Sequence, residues 1–510
     1  MKKSFYKKDY LAGLRCSKNL YLQEHNPELV EIDNNALSIM TMGRDFELTV
    51  RNLIAPGGLD LTFVCSTEEE LIARTRTELQ KENVTLYQPT FQNDTGDTAM
   101  IDILIKKGNH IHLIEIKMVT KLEDVHYYDS TFQSYVASTS GFKIDKVSVA
   151  YINKNYLREG ALTADFMILE DITKPSKKLT VQLPQKVERF KSILKRKEVP
   201  EKSIGVYCME PHTCQFKNHC FEQLPTNNIF ELKSIRLSRK LGLYYKGINT
   251  IEQLADKERN LTDRQRIHVV CAVENQKAIQ WDAIENWFKP LKKAKGIYFM
   301  DFETIAPSIP LDDGYKSKPF TQIPFQYSCH YLDKKTQQLT HMDFLAHPGS
   351  DYRKNFIKGL LLDINLFDED APVLVYNKTF EKTRLKELAE LFPEFENDIQ
   401  AVINRLVDMM DVFRSWYYHP AFKGGFSIKI VLPTLCPDLD YSDLEIKNGS
   451  FAASEFMRLQ NIKGEEAYNL KHALREYCKR DTYAMVRLLE QLEKEYYEYI
   501  NEKETLKQVI

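Results

Sequence analysis

Two acidic clusters in different halves of the chain have the residue types and spacing to hold divalent cations. The first is Asp102 followed by Glu115-Ile116-Lys117, inside two consecutive apolar runs. The second opens with Asp301-Phe302-Glu303 and closes with Tyr477-Cys478-Lys479-Arg480-Asp481. Hard cations such as Mg²⁺ or Mn²⁺ take clustered oxygen ligands and leave positions for water and a substrate phosphate, which is what phosphodiester cleavage needs. A third group is soft: Cys208, Cys214 and Cys220 fall within thirteen residues, in YCMEPHTCQFKNHC, and Cys16 stands in LRCSKNLYL.

The first cluster depends on a hairpin. In HIHLIEIKMV, alternation puts Ile111, Leu113, Glu115, Lys117 and Val119 on one strand face. A charged pair on an apolar strand is costly unless it has partners or a task, and cation binding by Asp102 and Glu115 supplies one. Lys117 would then position the attacking water or offset charge on the phosphate. Lys106-Lys107-Gly108-Asn109 reads as the turn between the runs 99–105 and 110–119. A helix is expected over 123–138, a strand over 147–152 and a basic helix over 184–198, after a helical start in residues 1–60. In the second half, IYFMDFETI puts Asp301 and Glu303 on the same strand face. VLVYNKTFEKTRL runs from a strand through Asn377 to Glu381 on a helix, and Tyr477 and Asp481 sit four apart on a final helix. Asp408 and Asp411 are read as structural. From Gly296 onward strands and helices alternate, an α/β pattern.

Composition sets outer bounds. The 510 residues are 43% hydrophobic and 28% charged with net charge −2, enough for several cores and no general polyanion magnet. Nucleic-acid binding would need a local basic surface such as Lys186, Arg189, Lys191, Lys195, Arg196 and Lys197; a solvated helix face is the alternative reading of that run. No stretch reaches the length of a membrane span and MKKSFYKKDYLAG is too polar for a signal peptide, so a cytoplasmic protein with no membrane partner is expected. Nine cysteines in such a chain argue against a disulfide framework. Four thiolates suit a cubane iron–sulfur cluster; structural zinc, with His212 or His219 replacing a cysteine, is the alternative. FEQLPTNN after Cys220 and KKAKG before Gly296 mark boundaries on either side of a helical stretch at 229–288.

Asp102, Glu115 and Lys117 resemble the D-x12-E-x-K pattern of PD-(D/E)XK nucleases, especially the RecB-type branch. That resemblance implies a restriction-endonuclease-like fold, a further acidic ligand upstream, matched by Glu47, and a helix with a Gln and a Tyr, matched by Gln133 and Tyr135 at a shorter spacing than the family's. The layout of Cys16 before the core and Cys208, Cys214 and Cys220 after it is similar to the iron–sulfur members, including the CRISPR-associated adaptation nuclease, and implies a [4Fe–4S] cluster. The second cluster resembles DnaQ-like exonucleases of the ribonuclease H fold, with Asp301, Glu303, Glu381 and Asp481 as ligands of Mg²⁺ or Mn²⁺ and Tyr477 orienting water. Glu381 stands where that family carries Asp. The combination is similar to a bacterial fusion family whose C-terminal half is catalogued as a domain of unknown function.

The resulting expectation is an α/β chain in three parts: a RecB-like domain at 1–222, a helical bridge at 223–291 and a DnaQ-like domain at 292–510. It implies a nuclease with two metal sites acting on single-stranded DNA or DNA ends, in repair, recombination or defence. RNA processing, or a nucleic-acid-binding scaffold with a degenerate C-terminal site, are the rival readings.

Overall fold

The elements follow the alternation patterns closely. A computed structural model describes residues 4–30, 34–258, 260–312 and 314–509. It comprises two units, Met1–Gln223 with Pro307–Thr321, and Leu224–Ala306 with Gln322–Ile510. Both mix helices with sheets, so the chain is of mixed α/β class. Residues 224–291, expected as a separate bridge, cluster with the second unit. Helices Leu237–Tyr244, Ile251–Lys257 and Asp263–Glu274 bury Leu243, Ile251, Leu254 and Val269 in one apolar cluster, and Trp281–Lys293 adds Ile284 and Phe288 to a main core of that unit. Among the described residues no helix is long and apolar enough to cross a membrane.

The first unit is built on a six-stranded sheet. Its strands are β1 (Leu59–Asp60), β2 (Asn83–Tyr87), β3 (Ile103–Lys107), β4 (His110–Lys117), β5 (Lys146–Ile152) and β6 (Met167–Asp171), in that spatial order. The hairpin forms: β3 and β4 pair antiparallel, Leu104 opposite Leu113, around a turn whose Gly108 takes the positive φ of +56° that glycine tolerates. Asp102 lies just ahead of β3 rather than on it, because Asp97–Met100 pairs in a separate small sheet. One face packs Leu104, Leu113 and Val147 against helices α1 (Lys7–Arg15), α2 (Ser17–His25), α4 (Asp124–Thr139) and α5 (Leu183–Leu194). The other packs Ile103, Ile114 and Ile116 against Phe46 and Val50 of α3 (Asn34–Ile54). The basic run is partly consumed internally, since Lys191 pairs with the buried Asp97 at 2.6 Å and Lys186 lies over the Tyr128 ring.

The second unit holds a five-stranded sheet of β7 (Gly296–Ile305), β8 (Ile323–Asp333), β9 (Leu339–Leu345), β10 (Val373–Val375) and β11 (Leu406–Asp408), in the order β9-β8-β7-β10-β11. β7 is antiparallel to β8 and parallel to β10, which places it at the centre of a mixed sheet. Tyr298, Met300 and Phe302 face α6 (Arg353–Asp363) and α7 (Lys378–Leu391), while Ile297 and Phe299 face the long helix α9 (Gly464–Val509). α8 (Gly449–Arg458) packs beside β7. The first residue of β7 has no room for a side chain: a Cβ on Gly296 would lie 2.2 Å from the Tyr331 hydroxyl and 2.3 Å from its ring. Gly296→Ala is therefore expected to destabilise the chain by about 1–3 kcal/mol in denaturant unfolding; an unchanged midpoint would contradict this packing.

Candidate metal centre

The alternation that sends Ile297 and Phe299 toward α9 carries Asp301 and Glu303 to the same side. On α9, Tyr477, Asp481 and Met485 recur every four residues and face back. Carboxylate oxygens of Asp301, Glu303 and Asp481 all lie within 4.8 Å of one another, the one such set of His, Cys, Asp or Glu donors among the described residues. They line a pocket of about 280 Å³ together with Tyr376, Asn377, Glu381 and Lys429. Glu381 enters from the first turn of α7, is 1% exposed, and its Oε2 has no hydrogen-bond partner among the described residues. The structure thus brings all four carboxylates to one pocket, three as a compact set and Glu381 on its wall.

Few opposing charges offset this crowding. Burial, and then the Asp481 charge, hold the Asp301 carboxyl well above the usual range. Burial followed by Asp301 and Asp481 does the same to Glu303, and burial followed by Asp301 to Glu381. Asp481 is raised by burial to about 6, against the pull of the Tyr441 hydroxyl, which donates to Oδ1 at 2.6 Å, and of Lys429. Buried carboxyls that repel one another, with no ion pair to any of them among the described residues, are a donor set suited to a bound hard cation, so these residues fit Mg²⁺ or Mn²⁺. Two supports frame the pocket. Asn377 caps α7 at φ +92°, a left-handed backbone held by its N–H donating to Asp408 at 3.2 Å, and Asp408 also accepts from the Met410 N–H at 3.0 Å. The second is Gly449 at the start of α8, where a Cβ would come 3.1 Å from Glu303 Oε2.

The N-terminal constellation also assembles, but it is internally neutralised. Glu115 Oε1 accepts from Lys117 at 2.7 Å and from Lys7 at 2.9 Å, and Oε2 accepts from Gln133 at 2.6 Å. Asp129 bonds the same three residues: Lys117 at 2.5 Å, Lys7 at 3.2 Å and Gln133 at 3.0 Å. Asp102 accepts the Ile116 N–H at 2.7 Å, and Glu47 is bonded by Gln88. Burial alone would raise the Glu115 carboxyl; the ammoniums of Lys117 and Lys7 instead pull it well down. Asp102 is held up by burial and by Glu115. As arranged, Glu115 and Asp129 are bonded to lysines, and this site does not present the open donor set seen in the second unit. Tyr135, two residues from Gln133, sits about 200° around the helix and packs into the core instead.

The four cysteines lie on three segments, with Cys16, Cys214 and Cys220 neighbours of Cys208. Cys16 links α1 to α2, Cys208 ends the turn Val206–Cys208, and Cys220 lies on the short helix Lys217–Phe221 after Cys214. Burial and then the neighbouring thiols Cys16, Cys214 and Cys220 push the Cys208 thiol up. The Cys214 N–H donates to the Cys208 carbonyl at 2.9 Å, the Asn19 amide donates to Cys214 Sγ at 3.1 Å, and Arg15 donates to the carbonyls of Tyr207 and His212. No three of these sulfurs lie within 4.8 Å of one another.

Comparison with known proteins gives a domain and relatives but no activity. Residues 298–427 match the domain of unknown function DUF2779, a span holding Asp301, Glu303 and Glu381 but ending before Tyr477. The chain is 30% identical over 280 residues to the uncharacterized protein MG366 homolog of Mycoplasma pneumoniae, covering 50% of this chain and 40% of that protein. It is 31% identical over 226 residues to the uncharacterized protein MG366 of Mycoplasma genitalium, covering 40% of this chain and 33% of that one. Against the uncharacterized protein UU173 of Ureaplasma parvum serovar 3 the figures are 30% over 217 residues, 38% of this chain and 30% of the relative. The chain thus spans well under half the length of the curated relatives it matches, and none of these names states an activity.

Lys7, Asp129, Tyr441 and Lys429 were not singled out in sequence. Asp129 and Gln133 are four apart on α4, a spacing that could have flagged them, whereas the other three reach their sites only through the fold. The acids of the second unit make a signed prediction. A carboxyl with a raised folded pKa holds its proton in the fold and releases it on unfolding, so stability is lost as pH rises from the unfolded value near ~4 through the folded one. For Asp481 that window ends at about 6. In chelator, Asp481→Asn is expected to be more stable than wild type at pH 8, by up to about 3 kcal/mol, with the difference vanishing near pH 4. The same difference at both pH values, read by denaturant unfolding, would contradict the burial assignment.

Proposed function

We propose that this protein is a metal-dependent nuclease that hydrolyses phosphodiester bonds of DNA. In this reading the C-terminal half is a DnaQ-like domain of ribonuclease H fold, and the N-terminal half is a RecB-like PD-(D/E)XK domain carrying a [4Fe–4S] cluster. The observation that carries it is the convergence of Asp301, Glu303 and Asp481 within 4.8 Å, beside the unpartnered Glu381 oxygen, in a pocket open to a ligand. Asp301, Glu303, Asp481 and Glu381 would hold Mg²⁺ or Mn²⁺. Such ions polarise a phosphate and stabilise the attacking and leaving oxygens.

The protein's own groups do the rest. Tyr477 is 3% exposed, and burial together with the Asp481, Glu303 and Asp301 charges keeps its phenol protonated, so it serves as a donor that orients water near Asp481. Lys429, whose ammonium lies 5.5 Å from the Tyr441 ring and 5.6 Å from the Tyr477 ring, puts a positive charge at the pocket where an anionic backbone would enter. Asp408 and Asn377 keep the α7 end, and so Glu381, in place. In the first unit Lys117 is positioned by Glu115 and Asp129 to meet a phosphate.

Cys16, Cys208, Cys214 and Cys220 would hold the cluster through four thiolates, the donor set that suits a cubane. Together they would tie α1 and α2 to the segment that follows the sheet, so binding energy there becomes folding energy.

Two measurements test the reading. With Mg²⁺ or Mn²⁺ the full chain is expected to release nucleotides from end-labelled single-stranded DNA. Asp301→Ala should lower that release at least about 100-fold, since even residues one step from a metal cost 10–100-fold. Undiminished release in Asp301→Ala would contradict the assignment; cleavage of RNA but not DNA would move the substrate class, and binding of DNA without metal-dependent cleavage would favour a scaffold. Anaerobically purified protein is expected to contain about four iron atoms per chain, and Cys220→Ala to lose both iron and thermal stability. Stoichiometric zinc without iron would replace the cluster by a zinc site.

A further inference from the structure

Lys7 is the unexpected member of the N-terminal constellation. Its ammonium lies 2.9 Å from Glu115 Oε1 and 3.2 Å from Asp129 Oδ1, bridging strand β4 and helix α4 from a third element, α1. Both carboxylates are almost fully buried, with side chains 2% and 4% exposed, whereas the Lys7 side chain is 31% exposed and so has a path to solvent. Lys117 binds the same two carboxylates at 2.7 Å and 2.5 Å, so each already has one ammonium without Lys7.

Lys7 is held there by the packing of its helix. It is the first residue of α1, a nine-residue helix ending at Arg15, just before Cys16. Tyr10 stacks on Phe132 of α4 with ring centroids 5.0 Å apart. Gly13 lets α1 close on α5, where a Cβ would come 2.7 Å from the Phe190 ring. At the far end Arg15 Nε donates to the Tyr207 carbonyl at 2.8 Å. The helix is thus fixed on both α4 and the cysteine loop, while the flexible Lys7 stem can move without moving its backbone.

We infer that Lys7 is a removable counter-cation: in the metal-free chain it occupies ground on Glu115 and Asp129 that a divalent cation would take, and it must withdraw for the ion to bind. This rests on reading the N-terminal constellation as a cation site. Glu115 Oε1 already accepts from both ammoniums, and a divalent ion cannot join the two there, because like charges at such separations in a buried site repel strongly. Lys117 shares a strand with Glu115 and is tied by both acids, so Lys7, on a separate helix and closer to solvent, is the one that yields.

The test uses the full chain carrying Asp301→Asn, which weakens the cation group of the other unit. Mn²⁺ is titrated and followed through the electron paramagnetic resonance of the free ion, and Glu115→Gln in that background identifies the N-terminal ion by its loss. Lys7→Met is expected to tighten this ion about tenfold or more, from removal of one nearby like charge. Lys7→Arg, which keeps the charge, should stay close to the Lys7 value. A purely structural lysine predicts the opposite, since a loosened site binds more weakly. Equal or weaker Mn²⁺ binding in Lys7→Met, with Glu115→Gln still removing the ion, overturns the inference and leaves the cation site standing. If Glu115→Gln removes no ion, the reading of this site and the inference built on it both fail.

Discussion

The second unit is organised around an unfavourable interaction. β7 runs through the centre of its sheet and puts Asp301 and Glu303 on the face that otherwise buries Ile297 and Phe299 against α9. Across from them α9 supplies a third carboxylate, Asp481, among Ala484, Met485 and Leu488. Acids so placed repel one another in a low-dielectric setting, and the fold tolerates them only by keeping protons on them or by placing a cation between them. The Tyr441 hydroxyl on Asp481, the amides on Asp408 and the strained Asn377 backbone at α7 are the local structure that keeps the acids converged.

The first unit solves the same problem differently. Its acids also sit on a strand face that is otherwise apolar, with Ile111 and Leu113 preceding Glu115, but two lysines reach them. Glu115 is consequently ionised while Asp102 is pushed toward its neutral form, opposite shifts in residues whose elements adjoin. Paired carboxylates with divergent proton affinities are a recurrent property of reactive sites. The two constellations differ in that one has its counter-charges built in and the other leaves them to be supplied.

What was legible in the sequence was whatever depends on local period. Alternation placed Asp301 with Glu303 and Glu115 with Lys117, and the four-residue repeat placed Tyr477 with Asp481, because strand and helix geometry fix those relations within one element. The turn at Gly108-Asn109 and the helix carrying Gln133 were likewise local. Lys7, Lys429 and Tyr441 were not readable, since each reaches its site from an element distant in sequence and carries no periodic mark. Asp102 reads as a strand residue because Ala99 to Ile105 is continuously apolar apart from it; the run instead divides between two sheets at Asp102. The cysteine set was visible as spacing, but the separation of its sulfurs depends on how the loop from Tyr207 to Cys214 folds onto Arg15 and Asn19.

The central claim is that the acids around β7 are built to receive hard cations. Anomalous X-ray scattering at the manganese edge, from crystals of the full chain equilibrated with Mn²⁺, tests it most directly. The account predicts manganese bound by carboxylate oxygens of Asp301, Glu303 and Asp481, with Glu381 turned toward the ion. Saturating Mn²⁺ that leaves these carboxylates without an ion, or finds its ligands elsewhere in the unit, would contradict it.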